Sequence, residues 1–273
     1  MFAERCRLKQ VEVKERGLMS FPRDSAEDLA AISEVAAMLQ GLAGAREFES
    51  PSCGLKLVAD RNFPANMLYY FLVGDYEESD LELIRKHVQP GDKVLELGGG
   101  VGLTGALVGQ VSGLPVTICE PNPGLPPLIR RTFAANGQQL NLIEAAAVNE
   151  AYGDGCISFN VAPGYWWSSL LPVEDGSSLP VRSLRLSHLL ELSSANVLLV
   201  DIEGYESRLF EGTDLQRVDT LIMEIHTPSL GAQTSCDLIT SIIRRGFDLV
   251  DFAAQSFVFK RTERRLELEK GRT

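Results

Sequence analysis

The run Glu96-Leu97-Gly98-Gly99-Gly100-Val101-Gly102 sets an acid and a cluster of glycines directly after an apolar stretch, Val94–Leu97. A G-x-G-x-G turn between a strand and a helix lets a ligand approach the backbone closely, because a Cβ would hold it away and would penalise positive φ angles. The helix opening near Gly102 points its free N–H groups into the turn, which favours a carboxylate. Glu120 follows Gly98 by 22 positions, at the end of the next apolar run. A carboxylate there can accept hydrogen bonds from both hydroxyls of a ribose. S-adenosylmethionine carries those groups, and Glu96 can meet its ammonium end. The pyrophosphate of NAD(P) is matched instead by G-x-G-x-x-G, and position 103 is Leu. An NAD(P)-dependent oxidoreductase is the alternative, and a turn that only packs a strand on a helix is the structural one.

Two further pairs stand at the ends of apolar runs: Asp201 and Glu203 after Val197–Val200, and Glu224 and His226 around Ile225. A methyl group on a sulfonium is already activated, so the protein must place a nucleophile in line and take its proton. His226 is the expected general base, since an imidazole titrates near neutrality. Asp201 and Glu224 would orient it or the cofactor. The structural readings are a strand-end hydrogen bond for His226 and a helix N-cap before Tyr205 for Asp201. Asp201, Glu224 and His226 could also supply ligands to a divalent ion. The spacing alone does not establish that, and no metal is assigned. Trp166 and Trp167, in a Gly/Pro-flanked stretch, and Glu203 are the candidate substrate contacts, with loop packing as the rival reading for the tryptophans.

Positioning these residues requires strands alternating with helices. The pattern predicts strands at Lys93–Leu97, Val116–Glu120, Leu140–Ile143, Val197–Ile202 and Leu221–Ile225, with a closing pair at Phe247–Asp251 and Ser256–Lys260. Helices are expected from Gly102, over Leu125–Asn136, and after Ser235, which would cap the last one. Ser79-Asp80-Leu81-Glu82 has the form of a capping box for a further helix. Ser25 precedes an amphipathic stretch whose Leu29, Ile32, Ala36 and Leu39 keep helical spacing. The segment Phe48–Phe71 reads as irregular, with a short strand at Leu55–Ala59. Such alternation implies a parallel sheet wound with helices.

Lys and Arg number 26 against 37 Asp and Glu, a formal charge of −11, which argues against a phosphate-tracking nucleic-acid surface. No apolar run approaches a membrane span, so no membrane partner is expected. The cysteines are scattered without metal-ligand spacing, and Met1–Gly17 lacks the apolar core of a secretory signal. Cytoplasm is the expected compartment.

With Asp201-Ile202-Glu203-Gly204-Tyr205-Glu206 and Met223-Glu224-Ile225-His226 added to the glycine turn and Glu120-Pro121-Asn122-Pro123, the chain resembles the FkbM-like family of methyltransferases over roughly residues 74–252. The resemblance implies an α/β fold of class I methyltransferase (Rossmann-like) type. That is a doubly wound, mostly parallel seven-stranded sheet with an antiparallel closing strand, here plus an N-terminal helical extension. It also implies S-adenosylmethionine-dependent O-methylation of a hydroxyl on a small molecule or saccharide, with Ala146 near the adenine. Glu96, Gly98, Gly100, Gly102, Glu120, Ala146 and Asp201 form the expected cofactor set, and His226, Asp201 and Glu224 the catalytic one. Leu199 and Ser187 stand where the family pattern more often has Lys and Asp. The chain divides into an extension at 1–73, a methyltransferase domain at 74–260 and a charged tail at 261–273. A cofactor-binding regulatory module of the same fold is the non-catalytic alternative.

Overall fold

A computed structural model describes residues 25–51, 53–161, 168–171 and 176–262. The first helix among the described residues, α1 (Ala26–Gln40), opens on a capping box: the Asp28 amide donates to Ser25 Oγ at 3.1 Å and the Ser25 amide donates to Asp28 Oδ2 at 3.0 Å. Its buried face is Asp28, Ala31, Val35 and Leu39, while Leu29 is 54% exposed, so the helix is turned from the expected apolar face. Asp28 causes the turn, because the Tyr69 hydroxyl donates to its Oδ1 at 2.6 Å inside the protein. An antiparallel hairpin, β1 (Arg46–Glu49) and β2 (Lys56–Ala59), follows. Next comes α2 (Ala65–Val73), within a stretch expected to be largely irregular. The helix hides from a periodicity search because Met67, Leu68, Tyr69, Phe71 and Val73 bury several of its sides.

Helix α3 (Glu78–His87) begins one residue before the expected capping box, after Glu77 in the left-handed region at φ 55°. Ser79 therefore lies inside the first turn and caps nothing, and Asp80 Oδ1 instead accepts from Ser256 Oγ at 2.7 Å. The winding then proceeds through β3 (Val94–Leu97), α4 (Leu103–Ser112), β4 (Val116–Cys119), α5 (Pro126–Ala135) and β5 (Leu140–Ile143). A small separate sheet follows, made of β6 (Ala146–Val148), β7 (Gly155–Val161) and β8 (Ser177–Arg185). After α6 (Leu186–Ser193) the main sheet resumes with β9 (Val197–Val200), the short α7 (Glu206–Leu209) and β10 (Thr220–Glu224). The chain closes with α8 (Thr227–Leu230), α9 (Ala232–Arg244), β11 (Phe247–Ala253) and β12 (Ser256–Arg261). Ser235 is not the cap of α9: Gly231 holds that position, and Ser235 Oγ donates back to the Gly231 carbonyl from within the helix.

The main sheet has seven strands in the order β11-β12-β10-β9-β3-β4-β5. Pairs from β10 through β5 are parallel, and β12 runs antiparallel to both of its neighbours. This is the class I methyltransferase architecture. Its topological switch lies between β3 and β9, since the chain leaves β3 toward β4 on one side and returns to β9 on the other. Open α/β folds bind ligands outside the carboxyl ends of such strands. Val35 of α1, Leu68 of α2 and Ile84 of α3 share one apolar cluster with Ile118 of β4, so packing is continuous across residue 74. No helix among the described residues is long and apolar enough to cross a membrane.

Candidate active site

The register Leu97↔Val200 places Gly98 and Asp201 side by side at the switch. The Asp201 amide donates to the Leu97 carbonyl at 2.9 Å, tying the two strand ends together. Gly98 has φ 84°, and a Cβ there would collide with the carbonyl oxygen of Asp201, so only glycine fits. Gly100 and Gly102 also take positive φ, but they differ in surroundings: Gly102 abuts Ile129 of α5, whereas Gly100 faces open space beside the Tyr76 hydroxyl. Gly102 thus serves packing of the turn, and Gly98 and Gly100 line the cleft.

Glu120 is 4% exposed at the end of β4. Its two oxygens accept from the Gly99 amide at 2.9 Å and the Asn122 amide at 2.7 Å, bridging the second strand to the glycine turn. Burial raises its pKa to about 7, and the Asn122 and Gly99 amides hold it from going higher. A carboxylate offers about four acceptor sites, so Glu120 keeps capacity for a ligand hydroxyl. Glu96, by contrast, is turned onto α4: its Oε1 accepts from Thr104 Oγ1, and Oε2 is buried with no hydrogen-bond partner among the described residues. Burial pushes Glu96 up to about 8.

A cleft of about 830 Å³, its open mouth included, runs past Gly98, Gly100, Glu120, Ala146, Asp201 and Glu203. Six expected site residues therefore share one space. A smaller adjoining cavity holds Glu96 together with Gly98 to Gly100, Asp80 and Asp201. Met67, Tyr76, Glu77 and Phe159 also line the main cleft, and none of them was singled out from the sequence. Trp166 and Trp167 lie outside the described residues, although Ser168 and Leu170, which follow them, reach the cleft.

His226, 8% exposed, joins the acids beyond Asp201. Its Nδ1 stands 2.8 Å from Glu206 Oε1, and its Nε2 is 3.1 Å from Glu203, 3.6 Å from Asp201 and 3.9 Å from Glu224. Burial alone would depress the imidazole, but the hydrogen bonds to Glu203 and Glu206 and the charge of Asp201 outweigh it and push the ring up to about 12. These contacts favour the protonated ring and bind His226 into a coupled cluster with the acids, so it does not stand as a free imidazole. Asp201 is not a helix cap: α7 starts at Glu206 behind Tyr205. Burial, then Glu224 and Glu203, hold the Asp201 carboxyl well above the ordinary range. Glu206, wholly buried, was legible only as part of the quoted acidic motif, and its hold on His226 is a finding of the fold.

The sequence profile described as the methyltransferase FkbM domain matches residues 111–249. The chain belongs to the FkbM methyltransferase family. It is an S-adenosylmethionine-dependent methyltransferase, and the Gly98–Gly100 cradle with Glu120 fits that cofactor. No curated protein matches the sequence. Among solved structures the chain is similar to Aeropyrum pernix fibrillarin with natively bound S-adenosyl-L-methionine, at 12% identity and a TM-score of 0.38, covering 63% of this chain and 66% of that one. It is similar also to a point mutant of MtNAS in complex with S-adenosylmethionine, at 18% identity and 0.40, covering 85% and 72%. A third likeness is to the Pyrococcus abyssi tRNA (uracil-54, C5)-methyltransferase in complex with S-adenosyl-L-homocysteine, at 12% and 0.43, covering 78% and 43%.

Proposed function

We propose that this FkbM-family enzyme methylates a hydroxyl oxygen of a small molecule or saccharide. The observation that carries the reading is the shared cleft: the cofactor residues Gly98, Gly100 and Glu120 line the same space as Asp201 and Glu203, which connect directly to His226. When bound, the cofactor supplies a methyl group already activated on a sulfonium. The chain's own work is to orient the acceptor and receive its proton. Glu120 would accept from the ribose hydroxyls, and the glycine turn would take the carboxylate end. Asp201, Glu203, Glu224 and His226 would hold the acceptor hydroxyl and accept its proton as a coupled unit. A hydroxyl fits such a unit, because it remains protonated at neutral pH until a base removes the proton.

The acidic mouth, with Glu77, Asp201 and Glu203, and the formal charge of −11 both oppose a polyphosphate acceptor. An uncharged polyol or ring hydroxyl suits it. Incubation with methyl-labelled cofactor and a panel of hydroxylated small molecules, saccharides and RNA tests the reading. Label on an ether-linked methyl is expected. Transfer to a ring nitrogen or carbon, or to RNA alone, contradicts it.

A further inference from the structure

We infer that Asp201, Glu203 and His226 bind a divalent cation of magnesium or manganese type on the acceptor side of the cofactor cradle. One ligand atom from each, a carboxylate oxygen from Asp201 and Glu203 and a ring nitrogen from His226, lie within 4.8 Å of one another. Oxygen donors with one imidazole suit a hard, octahedral ion.

Three independent features point to a cation there. Glu206 is wholly buried and outside the triad, yet it fixes the ring by contact with Nδ1 at 2.8 Å and so aims Nε2 at Asp201 and Glu203. A carboxylate behind a ligating histidine is the usual outer support of a metal site. Asp201 Oδ1 is buried without a hydrogen-bond partner among the described residues, although its side chain as a whole opens to the cleft. Such an orphaned acceptor calls for a ligand. Finally, among the described residues Asp201, Glu203, Glu206 and Glu224 make ion pairs only with His226 and none with Lys or Arg. No Lys or Arg among the described residues thus offsets this group of carboxylates.

Binding would release the Nε2 proton to solvent, since a ligating imidazole must be neutral. The role of the ion rests on the hydroxyl reading above: it would take the acceptor oxygen as a further ligand and lower that oxygen's pKa. The hydroxyl proton would pass to Glu224, whose Oε1 stands 3.9 Å from Nε2 and outside the triad.

Titration of the full chain with Mn²⁺ alone, read by electron paramagnetic resonance, tests the site. One saturable ion per chain is expected, displaced by Mg²⁺, and lost in Glu203→Gln and Asp201→Asn. Glu206→Gln, which changes no ligand, is expected to weaken binding by about tenfold or more. Cooperative urea unfolding of the variants shows that they fold. No saturable Mn²⁺ binding, or binding that both ligand variants leave unchanged, overturns the proposal. Ether formation undiminished by a chelator overturns the ion and leaves the hydroxyl reading intact. Mn²⁺ bound with the methyl delivered to nitrogen supports the site and overturns that reading instead.

Discussion

The buried carboxylate of Glu206 holds His226 Nδ1 at 2.8 Å, and this contact turns the ring's other nitrogen toward Glu203 at 3.1 Å. Glu206 is the inner end of the chain of groups that reaches the cleft through His226. It also accepts the Gly204 amide at 3.0 Å, so the same carboxylate shapes the turn between β9 and α7.

Glu206→Gln keeps the shape and an acceptor but removes the charge facing an imidazolium. A cost of about 2 kcal/mol is expected, the range of a hydrogen bond to a charged group. Glu206→Ala leaves that cation without its buried partner and should cost about 3–5 kcal/mol. Urea unfolding of the two variants checks the order, and equal stabilities would show that the contact does not hold the ring.

Gly98 and Gly113 both take positive φ, at 84° and 71°, but only at Gly98 does a Cβ meet the backbone. Gly113→Ala should therefore cost about 1–2 kcal/mol, the left-handed backbone alone. Gly98→Ala should exceed about 4 kcal/mol or yield protein that no longer binds cofactor, since strand β3 must move off Asp201. Thermal unfolding with and without adenosylhomocysteine separates the two cases.

Glu120 gives a pH dependence with a definite sign. Its folded pKa of about 7 lies above the ordinary glutamate value near 4.3. The protonated form is therefore favoured by folding, and stability of the free protein should fall as pH rises between those values. Cofactor affinity should run the other way, increasing from about pH 6 to about pH 8, because ribose hydroxyls donate to the ionised carboxylate. Both slopes should flatten in Glu120→Gln, as read by unfolding and by calorimetry over that range.

A buried bond from the Tyr69 hydroxyl to Asp28 Oδ1 at 2.6 Å helps to tie helix α1 to the core, beside the packing of Ala31, Val35 and Leu39. Tyr69→Phe should cost about 1.5–3 kcal/mol. Proteolysis within α1 should quicken in that variant. An unchanged cleavage rate would mean that the helix is held by its apolar face alone.

Much of this was legible from residue order. Val94–Leu97, Val197–Val200 and the glycine turn announce themselves, because a fully buried strand reads as a short apolar run and a cradle reads as glycines at fixed offsets. Helix α2 does not, since several of its sides are buried and no stripe remains to be seen. Strand β8 is similarly masked, with Pro180 inside it and few inward apolar residues. The expected box at Ser79 misplaced the cap by two residues, because Glu77 adopts a left-handed conformation that no local pattern signals. Tyr76 and Glu77 enter the cleft for the same reason: their place depends on where α3 begins, not on spacing from the glycines. The acids at 201, 203 and 224 and His226 were visible as strand-end residues. Their coupling was not, since a pKa is set by neighbours that only folding brings together.

The cofactor cradle is tested most directly by calorimetric titration of adenosylhomocysteine into the wild type and Glu120→Ala. One equivalent bound by the wild type, with affinity lost in the variant while its unfolding remains cooperative, is the predicted result. Absence of binding to the wild type, or equal affinity in the two proteins, would contradict a cofactor site built on Gly98 and Glu120.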